Sequence, residues 1–276
     1  MPQSSRKSTS SPGDCVNRGA AALLVFALAA GVTAVAGTPD QIAVITTRSG
    51  NIEHLEVDAG RLVGASVQEL ILRHRFRITY EDPRYPNLAD YVDITEQVGV
   101  PVPDKRSRIL WLKNRQMSVD LDTSRGAEGM LNQIVSAAAG VHPEAKFRVV
   151  KEGNWYHVIP AAGSLLDTHI SLPDKMRTVG EALHEIAAAV KSASGQAIDY
   201  GCCGGQEPDE PRYPVHANNE RAREVMTRLL DSIAAAGHGE RTWLILYEKR
   251  FDHFAPTLFQ IPDVPVYSMP PRKKGG

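Results

Sequence analysis

Only three cysteines occur in 276 residues, and two of them, Cys202 and Cys203, are neighbours. Adjacent cysteines cannot staple distant parts of a fold, and a bond between them closes a strained ring. No C-x-x-C spacing exists for zinc, so a vicinal disulfide in "YGCCGGQEPDE" (200–210) is the one redox option, against a plain flexible loop. Charge of one sign is also missing. With 31 basic and 32 acidic residues the chain carries no electrostatic footprint for nucleic acid. Stability has to come from a hydrophobic core.

Catalytic signatures are equally sparse. "AAGSLL" (161–166) lacks the second glycine of G-x-S-x-G, and no glycine-rich loop ends in Gly-Lys-Ser/Thr. His184-Glu185 begins a zinc-protease motif, but position 188 is alanine and the second ligand is absent. Asp90, Asp93 and Glu96 cluster in a polar stretch, where acids are solvated far more often than catalytic. No catalytic residue, metal site or cofactor is therefore assigned.

What is present begins with an export signal at 1–36. Arg6, Lys7 and Arg18 precede the apolar stretch "GAAALLVFALAAGVTAVA" (19–36), which ends in Ala34-Val35-Ala36, the small-residue pattern for cleavage. The expectation is a periplasmic or secreted protein without stable membrane insertion; a single-pass anchor is the alternative. Residues 264–276 read as a flexible tail.

Four segments carry helical periodicity. The first opens at Ser66 with Glu69 three residues on, and the third at Thr178 with Glu181, both capping-box spacings. The second, within 124–140, and the fourth, within 219–237, take Ser124 and Asn219 as N-caps and Gly140 and Gly237 at or just past their ends. Strands are expected at "FRITY" (76–80), "RILWLK" (108–113), "SVDLD" (118–122), "QAIDY" (196–200) and "PVHAN" (214–218). Two hairpins follow, one around Glu152-Gly153-Asn154 and one around "EKRFDHFA".

These segments recur in one order. Ser66 and Thr178 lie 112 residues apart, Tyr80 and Tyr200 120 apart, the two Pro-Arg-Tyr-Pro tetrapeptides (83–86 and 211–214) 128 apart, and Ser124 and Asn219 95 apart. Constant order with changing gaps is the mark of an internal repeat. The expected fold is α+β, two diverged repeats with two helices each on small antiparallel or mixed sheets. The first lobe covers 40–160 and the second 167–263, split near "PAAGSLLDT" (160–168). A single sandwich built from both halves is the alternative.

The run "SVDLDTSRGAEGMLNQIVSAAAGVHPEAKFRVVKEGNWYHVIP" (118–160) resembles the short N-terminal module of secretins and TonB-dependent receptors, a periplasmic β-α-β-β unit. The layout of 216–262 is similar, and together they cover about ninety residues. "VHPEA" departs from the short turn that the family pattern uses. The resemblance implies protein–protein contacts in the cell envelope, with an envelope protein or a second copy as partner. Arg84, Tyr85, Tyr91, Arg212 and Tyr213 are the candidate binding residues, on the expectation that the tyrosines are exposed, since Tyr and Arg are enriched at interfaces. The competing class is a secreted hydrolase-type enzyme whose site assembles only in three dimensions.

Overall fold

The computed structural model describes residues 42–98, 108–200 and 210–266. The signal segment, the Cys202–Cys203 pair, part of the polar insertion (99–107) and the last ten residues lie outside the described residues. In chain order the elements are β1 (Ile42–Ser49), β2 (Ile52–Ala59), α1 (Leu62–His74), β3 (Ile78–Glu81), β4 (Tyr91–Asp93), the single turn α2 (Thr95–Val98), β5 (Leu110–Leu112) and β6 (Arg115–Asp122). Then come α3 (Gly126–Val141), β7 (Phe147–Glu152), β8 (Trp155–Pro160), β9 (His169–Arg177), α4 (Val179–Ser194), β10 (Tyr213–Arg221), α5 (Ala222–Ala235), β11 (Arg241–Glu248) and β12 (His253–Gln260).

The chain is mixed α and β, with four long helices and several small sheets. The central sheet runs β12-β11-β3-β8-β7 and is mixed: β3 lies parallel to both β8 and β11, while β7–β8 and β11–β12 are antiparallel hairpins. An antiparallel β1-β2-β6 sheet and the β9–β10 ribbon complete the main layers. Side chains alternate across β3, so Tyr80 meets Gly64 of α1, and Thr79 pairs with His157, which stacks on Trp243. Trp155, stacked on the same Trp243, donates its indole N–H to Asp231 of α5. Helices therefore cover the central sheet on both faces. The expected boundary at 160–168 does not divide that sheet: β11 and β12 come from one side of it, and β3, β7 and β8 from the other.

Local signals succeed at α4 and fail at its neighbours. Thr178 accepts the Glu181 N–H and Glu181 returns a bond to the Thr178 N–H, a complete capping box. Thr178→Ala is expected to cost about 1 kcal/mol, read from the urea midpoint. The box expected at Ser66–Glu69 does not form. Ser66 lies inside α1, with its hydroxyl donating to the Leu62 carbonyl at 2.7 Å, and Arg61 stands at the N-cap with no capping bond from its side chain. Leu62 and Val63 are buried and extend the apolar face upstream, and Gly60 lets the preceding corner close onto Leu112, whose carbonyl oxygen would sit 2.5 Å from any Cβ there.

Ser124 does not cap α3 either. It sits in a 3-10 turn capped by Asp122, which accepts the Ser124 N–H, while Gly140 is the last residue but one of α3. Asn219 belongs to β10 with φ at 54°, and α5 starts at Ala222, whose N–H reaches the Thr168 carbonyl. The segment 196–200 forms only a parallel bridge, Ile198 to Phe254. The β-α-β-β run at 118–160 is present in order, but its first strand pairs with β2 and its hairpin with β3, in different sheets.

Candidate functional site

The acids before the first Pro-Arg-Tyr-Pro stand at the end of β3 and point to opposite faces of the central sheet. Asp82 is fully buried and collects four donors: Arg61 Nε at 2.6 Å, the Tyr80 hydroxyl at 2.5 Å, the Tyr85 hydroxyl at 3.3 Å and the Tyr247 N–H at 3.0 Å. Arg61 also donates to the Tyr247 carbonyl, and Asp82 N–H to the Ile245 carbonyl. One carboxylate thus ties α1 and β3 to β11. Burial, then the Asp82 charge, pushes the Tyr80 and Tyr85 hydroxyls well above ordinary phenol acidity, so both stay protonated donors. Burial alone would weaken the Arg61 charge, but Asp82 holds its pKa above the ordinary value.

Glu81 faces the other way. Its carboxylate accepts the Ser164 hydroxyl and the Leu165 N–H, each at 2.5 Å, at the start of the 3-10 turn in the 161–168 segment. Burial raises its pKa to about 7 against the pull of those bonds and of Arg223. Arg223 of α5, 2% exposed, pairs with Asp167 and lies 3.7 Å from Glu152; the Arg223 Nε and Nη1 have no hydrogen-bond partner. Arg221 bridges Glu152 and Glu224, and Arg148 faces Asp167. His157 is buried beside them, pushed down to about 3 by burial and then by Arg223 and Arg221, so it stays neutral. Ser164 also accepts the Leu166 N–H, so the Ser164–Glu81 pair closes a turn and presents no free nucleophile.

An open groove of about 590 Å³ runs along the outer side of α5, lined by Glu152, Arg221, Glu224, Arg228 and Asp231. Its charges already have partners: Arg228 holds Glu220, and Asp231 takes Arg77 and Trp155. Among the described residues no group of three His, Cys, Asp or Glu side chains could hold a metal ion.

The five expected binding residues separate into two kinds. Tyr85, Tyr91 and Tyr213 are buried, at 4%, 8% and 5% exposure, which corrects the expectation of exposed aromatics. Each hydroxyl finds an internal partner: Asp82 for Tyr85, the Tyr85 carbonyl for Tyr91, and His238 Nδ1 at 2.5 Å for Tyr213. A buried tyrosine is tolerated when its hydroxyl is satisfied. Arg84 and Arg212 stay half exposed. Arg84 lies 3.4 Å from Asp252 and over the Tyr247 ring, and Arg212 pairs with Glu181 at the α4 cap. The arrangement does not gather the two arginines into one site. The residues missed by sequence reasoning are Arg61, Arg223 and Tyr247, the partners of the two acids.

No family model matches the chain, and no curated protein or solved structure matches it. Any functional reading therefore rests on the residues themselves. Among the described residues no helix is long and apolar enough to cross a membrane.

Proposed function

We propose that this chain is an exported, non-enzymatic envelope protein that works as a protein-interaction or scaffold module, built from two diverged copies of one α+β unit. The export signal at 1–36 and the likeness of 118–160 and 216–262 to the short N-terminal module of secretins and TonB-dependent receptors support the location. Duplication is supported by paired contacts. β2 is antiparallel to β6 as β9 is to β10, and Ile78 lies parallel to Tyr156 as Ile198 does to Phe254. Tyr85 stacks on His142 after α3, and Tyr213 meets His238 after α5, so both Pro-Arg-Tyr-Pro tyrosines reach the histidine behind the second helix of their half. The matching helices align through Val63-Gly64 and Val179-Gly180, a truer register than Ser66 with Thr178.

The observation that carries an interaction role is the surface at the first tetrapeptide. The Arg84–Asp252 ion pair sets this corner beside the β11–β12 turn, where Phe251 is 49% exposed, and Leu88 just downstream is 64% exposed. Arginine and large apolar side chains at one corner suit a protein partner. The test is capture from an envelope fraction with wild type and with the Arg84→Ala/Arg212→Ala double variant. A partner held through these side chains is expected to be recovered at least about tenfold less by the variant, while the unfolding free energy from urea falls by less than about 1 kcal/mol, as exposed ion pairs contribute little. Unchanged recovery removes the binding role from both arginines.

A further inference from the structure

We propose that Glu81 is a pH-gated latch that holds the 161–168 segment onto the end of β3. This goes beyond the interaction reading and does not rest on it. The segment connects the two halves of the chain, and Glu81 grips it by a side-chain and a main-chain bond, from Ser164 and Leu165. Closing the joint buries Leu165 and Leu166.

The cation that acts on the carboxyl, Arg223, is already engaged by Asp167 and lies 3.7 Å from Glu152. Arg223 and Arg221 from the β10–α5 corner and Arg148 from β7 stand against Asp167 of the segment itself, Glu152 of β7 and Glu224 of α5. His157, the titratable group on β8, is neutral and supplies no compensating charge. An ionised Glu81 is therefore the unbalanced charge in a closed, 2% exposed position, while a protonated Glu81 is not. Opening the joint returns the carboxyl to water and to ordinary acidity.

The sign follows from the raised acidity constant, about 7 when closed against 4.5 in the open state. Closure is fully favoured below the open-state value and loses that advantage as pH rises through the closed-state value. Above pH 7 the segment opens more readily and releases Leu165 and Leu166.

The experiment is amide hydrogen exchange on the full chain at pH 5 and pH 8, corrected for intrinsic rates, for wild type and Glu81→Gln. Wild type is expected to exchange the Leu165 and Leu166 amides on the order of 70-fold faster at pH 8 than at pH 5. Glu81→Gln, which cannot ionise, is expected to show no such change. Equal corrected exchange in wild type at both pH values, or the same pH dependence in Glu81→Gln, overturns the latch. Should the variant not fold, carboxyl titration of Glu81 in wild type decides: a midpoint near 7 supports the proposal, and one below about 5.5 overturns it.

Discussion

Asp82→Ala is expected to destabilise the protein by about 3–5 kcal/mol, the range for breaking a buried ion pair by removing one member. The cause is what remains behind. Arg61 keeps its guanidinium at a partly buried position with only the Tyr247 carbonyl to receive it, and the Tyr80 and Tyr85 hydroxyls and the Tyr247 N–H lose their acceptor. A stranded buried donor costs about 1–3 kcal/mol, more when charged. Urea unfolding followed by tryptophan fluorescence gives the loss directly. The Arg61→Ala/Asp82→Ala double variant is expected to lose less than the sum of the two single changes, because it leaves no unpaired charge. A loss below about 1 kcal/mol for Asp82→Ala contradicts the clamp.

That clamp also marks what could be read from residues alone. α4 was legible because its start is written in two side chains three apart, a bond the helix makes with itself. The true start of α1 was not, because burial of Leu62 and Val63 against the sheets and the close approach of Gly60 to Leu112 decide it. The β1–β2 hairpin passed unnoticed although Gly50-Asn51 sits between two strand-like runs, the same signal that gave the β7–β8 turn. β9 was hidden for another reason: Pro173, Asp174 and Lys175 make it look like a loop, and irregular pairing with β10 is what makes it a strand.

The tetrapeptides were visible but their roles were not. Tyr85 looks like an interface residue until Asp82 and His142 are known to enclose it, and no spacing rule connects Glu81 to Ser164 or Asp82 to Tyr247. Pairing of β3 with β11 joins residues 164 apart, as in the Thr242 hydroxyl bond to the Ile78 carbonyl. Contacts at that separation leave no periodicity to read. The candidate site was thus half legible: its tetrapeptide residues by motif, and Glu81, Asp82, Arg61 and Arg223 not at all.

The same join gives the second large effect. Only two residue pairs register between β11 and β3, Leu244 with Tyr80 and Ile245 with Glu81, so main-chain pairing alone holds the halves weakly. Side-chain packing supplies the rest, and Trp243 is its largest fully buried member. The ring stacks at 6.3 Å on Trp155 and at 5.8 Å on His157, linking β8 to β11 beneath α5. Trp243→Ala is expected to cost about 3–5 kcal/mol, from lost transfer energy plus the cavity left between sheet and helix. Trp243→Phe, which keeps an aromatic face there, is expected to lose clearly less. The cavity has a second readout. His157 is held down to about 3 first by burial, so wild type loses stability as pH falls from about 6.5 toward 3, where the unfolded chain takes up a proton that the folded one refuses. Water admitted beside His157 moves its titration back toward 6.5, and the alanine variant is therefore expected to lose less stability on acidification than wild type. Imidazole NMR titration of the variant checks the shift. A His157 midpoint that stays near 3 after Trp243 is removed means that the indole is not what keeps water from the ring.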